Sequence, residues 1–300
     1  MTKQKWTVIL ATVLMTMLVL GGCAIKTAYP GTMNVAEAKQ VGAVYQGNSD
    51  VLVIDARGQE AYDKGHLQGA VCLSPSELVN DQSMLISKAD FEKVVGAKGI
   101  SNTQTLYVYD DNDGVSAGRI FWTFRVYGHD KVMIVNGGAS ALVEAGLEIT
   151  KEEPQLSAVT YTAKEADESI IASYDEVKAQ TEMETPTAKI VDVRSVAEYE
   201  AGYIKGAILY PHTKNLYSDG TFMSSRDIGL FYQDLGLKKD DEIILYCKSS
   251  FRATQTFALL QEAGYEHVKV YDGAWIEWSS KNEVTVPVEE KAPITQQEGS

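Results

Sequence analysis

A single cysteine, Cys247, ends the apolar run EIILYC and precedes a short polar turn, an arginine at position 252 and a helical pattern. At the carboxyl end of a buried strand, the backbone N–H groups of the turn and of the next helix direct partial positive charge at a bound group. A cysteine in such a position is more nucleophilic. Lys248 and Arg252 add charge of the same sign. The pattern therefore predicts a pocket for an anion that a thiolate can attack.

Other roles for Cys247 have to be weighed, since a buried cysteine also serves as a small apolar side chain. The chain holds three cysteines, so Cys72 is a conceivable disulfide partner, although its apolar surroundings (GAVCLSP) indicate a packed core residue. No C-x-x-C motif is present for zinc or redox chemistry. We predict no metal and no cofactor, because the four histidines have no ligand spacing: His66, His129, His212 and His267.

An internal repeat tells which elements position the cysteine. VIDARGQEAYDKGHLQGAV (53–71) and IVDVRSVAEYEAGYIKGAI (190–208) align at an offset of 137 residues. Each copy has a β-rich run ending in Asp-x-Arg and a later Gly-x-x-x-Gly-Ala. Continuous apolar runs that alternate with helical patterns are typical of parallel strands buried on both faces. The sequence predicts an α/β protein of two domains, each an open parallel sheet flanked by helices.

The same alignment indicates that the two copies differ in function. Asp110 stands in the first copy where Cys247 stands in the second, and its turn is one residue longer and more acidic. The first copy therefore has no nucleophile, and we expect it to be catalytically silent. The predicted organisation is a first domain at 34–150, a polar linker at 151–169, a second domain at 170–284 and a polar tail at 285–300.

The N-terminus resembles an export signal. Lys3 and Lys5 precede an apolar run that is shorter than a spanning helix and ends in Leu-Gly-Gly-Cys. This ending resembles a bacterial lipobox, which implies a signal peptide at 1–22, lipidation of Cys23, a tether at 23–33 and a lipid-anchored protein in the cell envelope, outside the cytoplasm. Removal of residues 1–22 takes the net charge from −14 to −16. So acidic a chain argues against nucleic-acid binding.

The repeated Asp-x-Arg and Gly-x-x-x-Gly-Ala motifs, the loop from Cys247 to Arg252, YDGAWIEW (271–278) and FRVYGHDKV (124–132) together resemble a tandem rhodanese. The resemblance covers roughly residues 35–280. It implies a thiosulfate sulfurtransferase whose nucleophile is Cys247. Attack on the outer sulfur of thiosulfate releases sulfite and leaves a persulfide, which a thiol or cyanide then takes in a second displacement.

The resemblance also implies roles for the residues around Cys247. Arg194 would bind the sulfonate end of the donor, while Lys248 and Arg252 would neutralise charge. The remaining members of the substrate-binding loop are Ser249, Ser250 and Phe251. Asp192 is interpreted as a structural anchor for Arg194. Lys248 favours thiosulfate over 3-mercaptopyruvate as the donor, because mercaptopyruvate enzymes tend to have glycine there.

One residue departs from the family pattern, since Ser250 occupies a position that is usually glycine. If this position needs a positive φ, serine there costs about 1 kcal/mol or more. A carrier or sensor that loads persulfide without turnover is therefore kept as the alternative function. Phosphatase chemistry is disfavoured, because it needs Cys-x5-Arg and Ala253 stands where that arginine would be.

Overall fold

The computed structural model describes Tyr29 and residues 33–287, and the chain divides into two halves of the same design. The first half has seven strands: β1 Val35–Glu37, β2 Val51–Asp55, β3 His66–Leu67, β4 Val71–Cys72, β5 Thr105–Tyr109, β6 Val132–Asn136 and β7 Ile149–Thr150. Its helices are α1 Ala38–Val44, α2 Gln59–Lys64, α3 Lys88–Ala97, α4 Val115–Val126 and α5 Gly138–Glu144, with a 3₁₀ turn at Pro75–Leu78.

The second half repeats this arrangement, with a loop after its central strand that is one residue shorter. Its strands are β8 Ile171–Ala172, β9 Ala188–Asp192, β10 Ile208–Leu209, β11 Glu242–Tyr246 and β12 His267–Tyr271. Its helices are α6 Tyr174–Glu182, α7 Val196–Glu200, α8 Ser225–Asp234, α9 Phe251–Glu262 and α10 Ala274–Lys281, with 3₁₀ turns at Glu168–Ile170 and His212–Asn215.

Each half is built on one five-stranded parallel sheet. The strand orders are β1-β6-β5-β2-β4 and β8-β12-β11-β9-β10, which are the same order in repeat-equivalent strands. The central strands β5 and β11 pair on both edges, and four of the five residues of each are buried, which explains their uninterrupted apolar sequences. The predicted fold class, two α/β domains with open parallel sheets, is confirmed.

The two halves meet along helices α4 and α9, which each follow a central strand. A methyl group added to Gly118 would lie 2.7 Å from the backbone nitrogen of Gln255, so the helices approach too closely for a side chain at Gly118. Phe121 and Phe257 belong to one hydrophobic core that extends through both halves. The loops at the carboxyl ends of β5 and β11 therefore both lie near the boundary between the halves.

The predicted linker is an extended segment that packs against the first half. Tyr161 is 4% exposed, and its hydroxyl lies 2.9 Å from His129 Nδ1. Val159 N–H donates to the Gly96 carbonyl at 2.9 Å. A polar, proline-bearing sequence thus forms an ordered connection, because a few buried groups hold it. The domain boundaries themselves stay a prediction.

The predicted signal peptide, the lipidation site Cys23 and nearly all of the tether lie outside the described residues, as does most of the polar tail. The beginning of that tail is paired, since Thr285 accepts a hydrogen bond from Tyr203 N–H at 2.9 Å. Among the described residues, no helix is long and apolar enough to cross a membrane.

Candidate active site

The Asp-x-Arg motif of the second half forms a buried network at the end of β9. The Asp192 carboxylate accepts hydrogen bonds from the Arg194 backbone at 2.9 Å, from its guanidinium at 2.6 Å and from the Tyr246 hydroxyl at 2.6 Å. Arg194 Nη2 also donates to the Gly202 carbonyl at 2.6 Å. Because Tyr246 directly precedes Cys247, the network fixes the start of the cysteine loop, which we define as residues 247–252.

The first half contains the same network around Asp55. Its carboxylate binds the Arg57 guanidinium at 2.6 Å and the Tyr109 hydroxyl at 2.6 Å, and Arg57 reaches the Gly65 carbonyl at 2.7 Å. A half without a cysteine thus keeps every contact of the motif, so these contacts belong to the scaffold.

Arg194 is 2% exposed, and its Nε and Nη2 donors are engaged by Asp192 and Gly202. Its guanidinium carbon lies 4.3 Å from the centre of the Trp275 ring, on one face of the group. These contacts match the role of Asp192 as an anchor. Binding of the donor by Arg194 stays a prediction.

The cysteine loop runs from the end of β11 to the first turn of α9. Cys247 is 1% exposed, whereas Lys248 is exposed. The carbonyls of these two residues accept hydrogen bonds from the N–H groups of Trp275 and Ile276 at 3.0 and 3.1 Å. In the described part of the chain, no acceptor pairs with the backbone N–H groups of residues 248–253. The loop therefore presents unused donors beside a thiol.

Ser250 adopts a left-handed conformation, so its position does need a positive φ. Its φ is 67° and it is fully buried at the N-cap of α9. The equivalent residue of the first half is Gly114, with φ 76°. Glycine adopts this conformation without strain, whereas serine does so at a cost. Ser250 therefore departs from the family pattern at a position where the backbone conformation favours glycine.

The equivalent loop of the first half, residues 110–114, is called the aspartate loop here. The Asp110 carboxylate accepts hydrogen bonds from the N–H groups of Gly114 and Ala117, both at 3.0 Å, and of Asn112 at 3.4 Å. Burial raises the pKa of the Asp110 carboxyl, and these N–H groups act in the opposite direction. The aspartate loop thus holds the oxygens of its own carboxyl group against backbone N–H donors.

Arg252 lies beside Cys247 in a two-pronged ion pair with Glu198, with both N–O distances at 2.7 Å. The Glu198 carboxylate first, and then the Cys247 sulfur, raise the pKa of Arg252 above its usual range against the opposing effect of burial. Hydrogen bonding to Arg252 in turn lowers the pKa of Glu198 to about 2. The pair fixes the arginine that was predicted to neutralise charge at the site.

Sequence reasoning missed Glu198, although a signal was available. Ala61 and Ser116 occupy the positions of Glu198 and Arg252 in the first half. The two charged partners therefore occur together in the copy that has the cysteine and are both absent from the other copy. A second missed residue is Arg119 of the first half, whose Nη1 lies 2.6 Å from Ser250 Oγ.

The Glu198–Arg252 pair predicts a pH-dependent contribution to stability. Because the pKa of Glu198 falls from an ordinary 4.5 to about 2 on folding, its contribution is complete above pH 4.5 and is lost as the pH falls towards 2. We expect Glu198→Gln to lower the free energy of unfolding at neutral pH by about 1 kcal/mol, since both groups are partly exposed and screened. Urea unfolding at a series of pH values measures this difference.

The matched control is Glu200→Gln, which removes an exposed acid at the end of the same helix. It should leave the unfolding free energy nearly unchanged at neutral pH. A difference for Glu198→Gln that does not shrink between pH 4.5 and 3 would contradict the ion-pair account.

Cys72 and Cys247 are both free thiols. Cys72 was interpreted as a packed core residue, but it lies partly exposed at the end of β4, in a cleft of about 230 Å³ that Tyr62, Lys98 and Pro154 help to line. Burial of part of the side chain raises the pKa of Cys72 to about 11. Strand β4 has only two residues, and it ends at Cys72. The apolar sequence around Cys72 therefore does not bury its side chain completely.

Comparison with known proteins agrees with this architecture. The family described as the rhodanese-like domain matches the chain twice, at residues 38–145 and 173–281. The chain therefore belongs to the rhodanese-like family, as a tandem of two such domains.

Individual relatives are named for sulfur chemistry. A protein of Saccharopolyspora erythraea named "Putative thiosulfate sulfurtransferase" is 36% identical over 248 residues, which cover 76% of this chain and 86% of the relative. The "Sulfur carrier protein TtuD" of Thermus thermophilus is 35% identical over 247 residues, again covering 76% and 86%. These relatives support sulfurtransferase activity of the rhodanese type.

A solved structure of the anaerobic ergothioneine biosynthesis enzyme from Chlorobium limicola, in complex with trimethyl histidine, superimposes with a TM-score of 0.77. It is 21% identical, and the match covers 85% of this chain and 70% of that enzyme. At this identity, the likeness concerns the fold.

Proposed function

We propose that the protein transfers sulfane sulfur from thiosulfate, or a related anionic donor, to a thiophilic acceptor through a persulfide on Cys247. In the first step the Cys247 thiolate attacks the outer sulfur of the donor, a new S–S bond forms, and the donor's S–S bond breaks with its electron pair leaving on sulfite. In the second step the acceptor attacks the outer sulfur of the persulfide and the electron pair returns to the Cys247 thiolate. The two steps balance without an oxidant or a cofactor.

The observation that carries this proposal is the occupied aspartate loop. Asp110, the residue at the position of Cys247, places its carboxylate within 3.0 Å of the Gly114 and Ala117 N–H groups. The equivalent donors in the cysteine loop are the N–H groups of Ser250 and Ala253, and they have no acceptor within the described chain. A terminal persulfide sulfur on Cys247 would be the corresponding anion. Preorganised N–H donors stabilise such charge as an oxyanion hole does.

The charges around the loop suit an anionic donor. Lys248 is exposed at the loop, and Arg252 lies beside the sulfur, on a chain whose formal net charge is −14. We propose that these two cations attract and hold the donor, and that Ser249, Ser250 and Phe251 form the wall of its pocket. Contact of Arg194 with the sulfonate end is part of the proposal.

A persulfide carrier is the second candidate, and two observations favour it. One relative of comparable identity is named as a sulfur carrier. The strained Ser250 backbone is consistent with a loop that holds sulfur and releases it slowly. In this alternative Cys247 takes up one sulfur and passes it to a partner rather than turning over freely.

The N-terminal sequence supports a proposed location. We propose that the chain is exported, that Cys23 becomes a lipidated N-terminus, and that the protein is anchored to a membrane of the bacterial cell envelope, facing away from the cytoplasm. The donor and acceptor would then be species present in the envelope. Labelling with a radioactive fatty acid in cells, compared with a Cys23→Ser variant, tests this part separately.

Steady-state assay of the protein without residues 1–23, with thiosulfate as the donor and cyanide as the acceptor, tests the proposed activity. Continuous thiocyanate production, at many equivalents for each chain, is the expected result. Production of one equivalent that then stops would favour the carrier. No thiocyanate and no sulfite release would exclude thiosulfate as the donor.

A further inference from the structure

Arg119 of helix α4 is a fully buried arginine that the first half contributes to the rear of the cysteine loop. Its Nη1 donates to Ser250 Oγ at 2.6 Å and to Asp272 Oδ1 at 2.6 Å. Its guanidinium carbon lies 4.9 Å from the Trp122 ring and 5.3 Å from the Phe251 ring. The position of this buried guanidinium depends on the groups that it contacts. Two of them, Ser250 and Phe251, belong to the cysteine loop.

The Ser250 hydroxyl is the centre of this group. It accepts from Arg119, and it lies 3.0 Å from Asp272 Oδ1 and 2.6 Å from the Ser249 carbonyl, either of which can take its proton. Ser250 is also one of the four non-glycine residues of the described chain with a positive φ, which is 67° here. The hydrogen bonds therefore act on a residue whose backbone conformation is costly for serine.

Asp272 connects the same group to the other side of the loop. Its second oxygen accepts the Leu85 N–H of the first half at 2.6 Å. Asp272 begins the short segment whose Trp275 and Ile276 N–H groups bind the carbonyls of Cys247 and Lys248. The first half thus holds the cysteine loop directly at Ser250 and indirectly through Asp272.

The aspartate loop provides an internal comparison. The repeat-equivalents of Arg119 and Asp272 are Gln255 and Asn136. Gln255 donates to the Asp113 carbonyl at 2.9 Å, and Asn136 accepts the Phe222 N–H at 2.7 Å, so both amides occupy the matching places. The buried ion pair occurs behind the cysteine loop, and two neutral amides, Gln255 and Asn136, lie behind the loop without a nucleophile.

We propose that Arg119 and Asp272 are positioning residues, which hold Ser250 in its left-handed conformation and so aim the loop N–H groups at the sulfur of Cys247. The first half would then contribute to the reaction that the second half performs. This inference rests on the proposed sulfur transfer and adds to it a role for the half that has no nucleophile. Neither residue touches the reacting atoms, so both act through the shape of the loop.

The test replaces the charged pair with the amides found at the equivalent positions behind the other loop, as the double variant Arg119→Gln/Asp272→Asn. Both charges are removed together, so no buried charge is left without a partner. Two quantities are measured: amide hydrogen exchange at Thr254, Trp275 and Ile276, whose acceptors are loop carbonyls, and the rate constant of single-turnover sulfite release from thiosulfate. Exchange at these amides should accelerate by about tenfold.

Sulfite release should slow by about 10- to 100-fold, as expected when donors are displaced from a reacting group. The amount released should remain one equivalent for each chain. Loss of folded protein would instead reduce the amount released and leave the rate constant unchanged. Ser250→Ala should slow release similarly, and adding it to the double variant should have little further effect, because the same contact is removed.

The matched control is Gln255→Leu, at the symmetric position behind the aspartate loop. It removes a buried side chain from the same helix pair, and it should change neither loop exchange nor the rate constant of sulfite release. Unchanged amide exchange in Arg119→Gln/Asp272→Asn would contradict the claim that these residues hold the cysteine loop. Faster exchange with an unchanged rate constant would overturn its role in the reaction.

Failure of the proposed function gives a different result. In that case the wild-type protein releases no sulfite from thiosulfate. Amide exchange can still be measured, because it needs no sulfur donor. If these amides then exchange at the wild-type rate in the double variant, the inference is rejected. If they exchange faster, Arg119 and Asp272 do hold the cysteine loop.

Discussion

Cys247→Ser is expected to abolish sulfur transfer. A serine hydroxyl is a weak nucleophile and does not hold sulfane sulfur, so no covalent intermediate can form. The rate should fall by at least about a thousandfold, the order of magnitude seen when a covalent nucleophile is removed from other enzymes. Thiocyanate production from thiosulfate and cyanide measures the effect, and the unfolding midpoint verifies that the fold is kept.

The control for this variant is Cys72→Ser. Cys72 is the other cysteine of the described chain, and it lies in a cleft of the first half. Full activity in Cys72→Ser together with loss in Cys247→Ser would assign the chemistry to one thiol. Retained turnover in Cys247→Ser would remove the basis of the proposed function.

Asp192→Ala is expected to have the largest effect on stability. The Asp192 carboxylate is fully buried and joins the Arg194 turn to Tyr246, while Arg194 itself is 2% exposed. Removing one partner leaves a buried guanidinium without its counterion, which typically lowers the free energy of unfolding by about 3–5 kcal/mol. Urea denaturation monitored by circular dichroism measures this change.

The repeat supplies a matched variant, Asp55→Ala. The Asp55–Arg57 pair has the same hydrogen bonds, and its arginine side chain is 14% exposed. The loss of stability should be similar or slightly smaller, because water can reach the remaining guanidinium. Among molecules that remain folded, Asp192→Ala should impair sulfur transfer more than Asp55→Ala, since only Tyr246 leads into Cys247. A loss below 1 kcal/mol for Asp192→Ala would contradict the account of the network.

The fold could be predicted because the signals were local and repeated. The continuous apolar runs that became β5 and β11 indicated strands buried on both faces, and the repeat indicated two domains of the same design. The position of Cys247 at the end of β11 followed from the same alignment, as did its exchange for Asp110. Each of these inferences needed only sequence pattern and the geometry of parallel sheets.

The partners of the site residues could not be predicted in this way. Glu198 reaches Arg252 from a different strand connection, and Arg119 reaches Ser250 from the other half of the chain. The second of these contacts depends on how helices α4 and α9 pack, with a close approach at Gly118. The spacing of residues in the sequence does not encode that packing.

The half without the cysteine contributes to the structure around it. The cores of the two halves are continuous, and each half covers the loop of the other: Phe222 packs on Gly114, and Leu85 binds Asp272. The arrangement is nearly symmetric, yet the charged pairs Arg252–Glu198 and Arg119–Asp272 both lie on the side of Cys247. The first half is therefore part of the structure that surrounds the cysteine rather than a passive copy.

The most direct measurement of the central claim is the mass of the peptide that contains Cys247, after thiosulfate alone has been added to the protein without residues 1–23. We predict the addition of one sulfur atom to Cys247, no addition in Cys247→Ser, and loss of the added sulfur when cyanide follows. An unmodified Cys247 with sulfur on Cys72, or no sulfur on either residue, would contradict the claim.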